Sequence, residues 1–184
     1  MEKKERDPRL LTAADVEVGV LQTTAQAVKV RLWPKPGRVR AILNETYMPD
    51  CWSTDLFTVA GKTCCRLLVT DFDEVDAAPV HHAALCPTEY HMMTDQARNE
   101  MDGALIMAAS YMGIGAAVMQ LPAMVIHADQ VQINPVADAS GKRIARHELA
   151  DTLTPTNLVY DEAGQIIEVD FTRRDGGIIK WQKR

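Results

Sequence analysis

Residues 103–126 run for 24 positions without a formal charge, long enough on paper to cross a bilayer. Such a run belongs either in lipid or in the interior of a fold. Gly113, Gly115, Ser110, Tyr111, Gln120 and Pro122 interrupt its apolar character, and no Lys/Arg bias flanks it. A helix apolar on every side is a buried helix, so the segment predicts burial and not a membrane span. Thr94-Asp95 supplies an N-cap, and the predicted helix is long, from residue 96 to about 119, polar in its first two turns and apolar afterwards.

Elsewhere the pattern favours strands. Residues 1–10 read as a solvated tail. Residues 16–21 and 27–33 are β-branched and partly alternating, which predicts a hairpin closed off by Pro34 and Pro36-Gly37. Val39, Ile42, Leu43 and Thr46 or Tyr47 recur at helical spacing, so residues 38–47 read as a shorter amphipathic helix that ends at Pro49. Residues 52–71 read as a second hairpin turning at Ala60-Gly61-Lys62. Residues 71–93 read as an irregular excursion with one short strand, and 123–133 as an apolar strand-like run. Residues 134–156 form a polar connector in which 142–149 suit a short basic helix. Strands at 157–160, 166–172 and 178–181 close the chain. The order predicts an α+β fold: an antiparallel β-sheet of hairpins packed on one long and one shorter α-helix, as one domain over residues 11–184.

The chain has 184 residues, 47% of them hydrophobic and only 5% aromatic, so the core must be built mainly from aliphatic residues and Met. These values exclude collagen, low-complexity and wholly disordered classes. A net charge of −5 argues against a chain that is basic throughout. It does not exclude a local basic groove, because phosphate binding depends on where the cations sit. The start, MEKKERDPRLL, is charged and lacks the apolar stretch of an export signal, so a cytoplasmic protein with reduced Cys51, Cys64, Cys65 and Cys86 is expected.

Enzymatic motifs fail on inspection. Gly61-Lys62-Thr63 looks like the end of a phosphate loop, yet Leu56 stands where the motif needs glycine, and a strand pattern follows where it needs a helix. Gly113-Ile114-Gly115 lacks the third glycine and the preceding strand of a dinucleotide fingerprint. Ser110 has no nearby base. Asp71, Asp73, Glu74 and Asp76 read as a solvated acidic loop. His81, His82, Cys86 and His91 fall close together but lack the paired spacing of structural zinc sites. No catalytic residue, metal or cofactor is expected.

The cations carry more information. Lys29, Arg31, Lys35, Arg38 and Arg40 form one group with no acid among them; Lys142, Arg143 and Arg146 form a second. A third comprises Arg173, Arg174, Lys180, Lys183 and Arg184, and Trp33, Trp52 and Trp181 lie near two of the three groups. Cations that grip phosphates beside an aromatic that stacks on a base are the parts of a single-strand site.

Two segments carry a resemblance. Arg40-Ala41-Ile42-Leu43-Asn44-Glu45-Thr46-Tyr47-Met48-Pro49-Asp50-Cys51-Trp52-Ser53 is similar to the I-L-x-E-T-F helix and G-P-x-x-W turn of phage-type single-strand annealing proteins related to the eukaryotic mediator Rad-fifty-two. Ala-Ala-Ser-Tyr-Met-Gly-Ile-Gly-Ala at 108–116 resembles the long-helix signature of the same family, with Ile106-Met107 where the family has Lys-Arg, Met112 in place of its aromatic, and Ala116 for its Arg. The resemblance covers roughly residues 11–181 and implies the family's fold. It also implies a non-enzymatic activity: homo-oligomeric rings or helical arrays that bind single-stranded DNA and anneal it without nucleotide hydrolysis. Under it the backbone contacts are Lys29, Arg31, Lys35, Arg38 and Arg40, then Lys142, Arg143 and Arg146, with Lys62 and Arg98 beside them. The alternative is a protein-binding accessory or inhibitor module directed at a host protein, its contact surface being residues 71–76 and 81–93.

Overall fold

Strand formers and turn residues set the architecture more than helix formers do: among the described residues 43% are strand and 23% helix. The computed structural model describes residues 10–70 and 79–183. In chain order the elements are β1 (Val16–Thr23), β2 (Ala27–Pro34), α1 (Pro36–Tyr47), β3 (Trp52–Val59), β4 (Lys62–Val69), β5 (Val80–Leu85), α2 (Gln96–Ser110), α3 (Ala116–Gln120), β6 (Met124–His127), β7 (Ile133–Ala137), β8 (Ile144–Leu149), β9 (Thr154–Tyr160), β10 (Ile166–Thr172) and β11 (Ile178–Gln182). They fall into two compact units, one built from residues 34–120 with Leu11, the other from residues 12–33 and 121–183.

In the first unit Pro36 opens α1, where its missing N–H costs nothing. Val39, Ile42 and Leu43 point inward at three- and four-residue spacing. The helix stops at Met48, whose φ of 64° is followed by Pro49. β3, β4 and β5 form an antiparallel sheet with β4 in the centre. The β3–β4 turn places Ala60 and Gly61 at φ 49° and 76°, the backbone that two-residue hairpins favour. α2 packs on β4 and β5 and reaches α1. Asp95 caps it by accepting from the Arg98 N–H at 2.9 Å. Cys65 and Leu67 are fully buried in the sheet, and burial, aided by the adjacent Cys64, pushes the Cys65 thiol up to about 11. Cys51, Cys64, Cys65 and Cys86 are all free thiols.

The second unit holds three small sheets. β1, β2 and β6 form one, and Val28 and Val30 pair across β2–β6 with Ile126 and Met124, all four buried. β9, β10 and β11 form another, cored by Ile166, Val169, Phe171 and Ile179. β7 and β8 form a two-stranded hairpin.

The expected fold, and with it the annealing-family fold that the resemblance implies, is thereby corrected. Instead of one sheet of hairpins on a long and a shorter helix, the described chain has four small sheets, and its longest helix, α2, spans 15 residues. The uncharged run explains the difference. Its Gly113 and Gly115 sit at φ 89° and 68°, and the Ile114 N–H reaches back to the Ala109 carbonyl in the manner of a glycine-terminated helix. A side-chain carbon at Gly115 would also come within 2.9 Å of Pro34 and 3.1 Å of Leu11, so the chain must turn there. Helical propensity therefore yields to glycine geometry, and the run divides among the end of α2, a turn, α3 and β6. No helix among the described residues is long and apolar enough to cross a membrane.

Smaller corrections follow. Residues 142–149 form the end of a turn and strand β8, not a basic helix, because β8 pairs with β7 from Ile133↔Leu149 to Ala137↔Ile144. The connector at 134–156 thus contains a hairpin. The excursion at 71–93 contains β5; its acidic residues Asp71, Asp73, Glu74 and Asp76 lie outside the described residues.

Candidate nucleic-acid interface

The structure sorts the ten expected DNA contacts into engaged and unengaged cations. Arg40 of α1 and Arg98 of α2 converge, but on a carboxylate: Asp102 accepts from Arg40 at 2.7 Å and lies 3.8 Å from Arg98. Asp102 is only 3% exposed, so burial of this acid calls for the two cations. Arg38 is tied to Glu45, two turns along α1, at 2.8 Å. Lys35 precedes α1, and its carbonyl accepts from the Arg38 and Val39 N–H groups. Arg31 lies over the Trp33 ring, 4.9 Å from its centroid. Arg146 is bound to Glu148 at 2.6 Å.

Lys29, Lys62, Lys142 and Arg143 are exposed, and among the described residues no carboxylate pairs with them. Lys142 and Arg143 lie at the β7–β8 turn, where the Asp138 carboxylate accepts from the Ser140 hydroxyl at 2.6 Å. That bond, followed by backbone N–H groups of the turn, holds Asp138 below the usual carboxylate range.

The most complete arrangement is in the second unit and was only partly anticipated. A cleft of about 920 Å³ is lined by Pro122, Ala123, Val125, His127, Gln130, Lys180, Trp181, Gln182 and Lys183. It is bordered by β6 and β11, each outermost in its own sheet. Along β6 the alternation sends Met124 and Ile126 inward and leaves Val125 and His127 exposed on the cleft side. Lys29 stands opposite Val125 across β2–β6, on the same face. Along β11, Trp181 is half-buried against its cross-strand partner Val169, while Lys180 and Lys183 stay exposed. Lys180 has only loose ion pairs, 3.6 Å to Glu168 and 3.8 Å to Asp170. No lining residue is acidic. Two lysines beside a tryptophan could be found in the sequence as the third basic group. That β6 brings Val125 and His127 to face them could not, because the β6–β11 proximity is a tertiary fact.

Other motifs resolve without chemistry. His81 and His82 alternate on β5 and so point to opposite faces; His82 lies 6.3 Å from the Tyr111 ring. Among the described residues no three His, Cys, Asp or Glu side chains lie close enough to hold a metal ion. No protein-family model, curated protein or solved structure matches this chain.

Proposed function

We propose that the protein binds single-stranded DNA without nucleotide hydrolysis and promotes pairing of complementary strands, the activity implied by the resemblance of residues 40–53 and 108–116 to phage-type annealing proteins. The observation that carries this reading is the cleft, without an acidic lining residue, that is lined by Trp181, Lys180 and Lys183, with Lys29 on β2 opposite the lining residue Val125 of β6. Lysines there neutralise backbone phosphates without reading sequence, and the indole gives any base a stacking surface. Strand complementarity then supplies the specificity, so the protein needs no base-reading contacts.

The test is a salt titration of single-strand binding. Three lysine–phosphate contacts give a slope of log K against log salt of about −2. Trp181→Ala weakens binding roughly five- to 150-fold, the cost of one lost stack. Annealing of labelled complementary strands, measured without nucleotide triphosphate and beside a light-scattering mass, checks the pairing step and the expected homo-oligomer. A flat salt response, or full binding by Trp181→Ala, defeats the proposal.

A protein-binding module is the second reading. β3 favours it: this outermost strand of the first unit's sheet leaves Leu56 and Val59 40% and 46% exposed. Exposed apolar edges are sites of strand addition by another chain. A partner lost on Val59→Lys and retained on Trp181→Ala, with no DNA binding by the parent chain, would establish it.

A further inference from the structure

The first unit has a cleft of its own, about 520 Å³, within the usual range of small-molecule sites. The start of β4, the connection from β5 and the first turns of α2 form its walls. Gly61-Lys62-Thr63, which fails as a phosphate loop, contributes differently here: Lys62 stands exposed at the rim and Thr63 lies deeper. One wall is fixed by the buried Asn99. Its amide oxygen accepts from the Met92 and Met93 N–H groups at 2.7 and 2.9 Å, and its nitrogen donates to the Tyr90 carbonyl. Pro87, Tyr90 and Met93 make part of the lining apolar.

Glu100 faces this cleft. Its Oε2 accepts from the Thr63 hydroxyl at 2.5 Å and its Oε1 from the Gln96 amide at 3.0 Å. Those two bonds, Thr63 first, hold the carboxyl below its ordinary range, so it is ionised at neutral pH. Each oxygen keeps a second acceptor direction, so the carboxylate can take two parallel N–H donors. The guanine edge, with N1–H beside its amino group, is such a pair; adenine and cytosine edges are not. A guanidinium offers the same pair of donors. Lys62 decides between them, because a cation at the rim repels a cationic ligand and attracts a phosphate.

We propose that this cleft binds a guanine nucleotide, with the base edge on Glu100, the ring along the apolar lining and the phosphate at Lys62. The site stands apart from strand binding in the second unit: either can fail with the other intact.

Calorimetric titration of the full chain tests it, with GMP, AMP, guanosine and L-arginine as ligands. GMP binds saturably, and AMP binds at least about tenfold more weakly, within the discrimination of a good bidentate base contact. Glu100→Gln loses at least about tenfold for GMP. Lys62→Ala weakens GMP and leaves guanosine unchanged. A thymidine oligomer carrying one central guanine separates the sources: if it competes with GMP at equal concentration the ligand is a residue of a strand, and if it does not, a free nucleotide. Equal binding of GMP and AMP, or parental affinity in a folded Glu100→Gln, overturns the proposal. So does tighter binding of L-arginine, which would make the cleft a guanidinium pocket. Should Glu100→Gln not fold, the GMP/AMP ratio of the parent chain and the Lys62→Ala result decide.

Discussion

Replacing Arg40 with alanine separates a structural cation from a DNA-binding one. Arg40 Nη2 donates to Asp102 Oδ1 at 2.7 Å, while Arg98 approaches the other carboxylate oxygen only to 3.8 Å. The Asp102 side chain is 5% exposed, Arg40 44% and Arg98 70%. A hydrogen bond to a charged group contributes about 1.5–3 kcal/mol. Losing one partner of a fully buried pair costs about 3–5 kcal/mol, because the other charge is stranded. Arg40 is half in water, so the lower end applies, and Arg40→Ala is expected to destabilise by about 2 kcal/mol. Arg98→Ala removes a long, solvated contact and costs about 0.5 kcal/mol. Asp102→Ala strands no buried charge, because the arginines left behind reach solvent. The double variant Arg40→Ala/Asp102→Ala therefore costs less than the sum of its parts, with a coupling of about 1–2 kcal/mol. Urea unfolding followed by helical circular dichroism is the assay, since the three α-helices among the described residues lie in the first unit. With a slope of about 2 kcal/mol/M, the Arg40→Ala midpoint falls by about 1 M. Equal midpoints for Arg40→Ala and Arg98→Ala, or an additive double variant, would refute the account of Asp102 as a buried anion held chiefly by α1.

Further outcomes follow from other contacts. Lys183→Ala lowers the single-strand salt slope by about 0.7, one phosphate contact, whereas Arg38→Ala, whose guanidinium is held by Glu45 at 2.8 Å, leaves the slope unchanged. Gly115→Ala combines a positive φ of 68° with a contact of 2.9 Å to Pro34, and lowers stability by about 1–3 kcal/mol in thermal melts. Because the Cys65 thiol is pushed from 9.0 to about 11 by burial, the folded state holds its proton longer than the unfolded state. Its contribution is complete below pH 9 and declines from there to about pH 11, by up to about 1.4 kcal/mol per pH unit. Urea midpoints at pH 8 and 10 should therefore converge in Cys65→Ala relative to the parent.

Local periodicity made most of the elements legible and left their assembly dark. The alternation of Val28, Val30 and Leu32 gave β2, the three- and four-residue spacing of Val39, Ile42 and Leu43 gave α1, and Ala60-Gly61 gave the β3–β4 turn. The long helix failed because composition describes burial and not direction. Ala108, Ala109, Ile114 and Val118 are all buried as expected, yet Gly113 and Gly115 turn the backbone between them. The basic segment at 142–149 failed for a related reason. Its charges suit a solvated helix face as well as a solvated strand, and pairing with β7 is a non-local choice that the segment itself does not encode.

The site was legible in its chemistry and illegible in its partners. Counting cations identified Arg38, Arg40 and Arg98 but not the acids that hold them, since Glu45 follows Arg38 by seven residues and Asp102 follows Arg40 by sixty-two. An arginine that serves a buried carboxylate carries the same letter as one that serves a phosphate. What separates them is whether the nearest anion belongs to the chain. By that criterion the first basic group, which motif and density favoured, loses Arg38 and Arg40, and weight passes to Lys29 and the terminal group. There Lys183 meets no described carboxylate, and Lys180 meets two only loosely. On the proposed reading, a net charge of −5 is no obstacle to holding a phosphate backbone, because Asp102 is buried under Arg40 and no acid lines the cleft that Trp181 shares with two lysines.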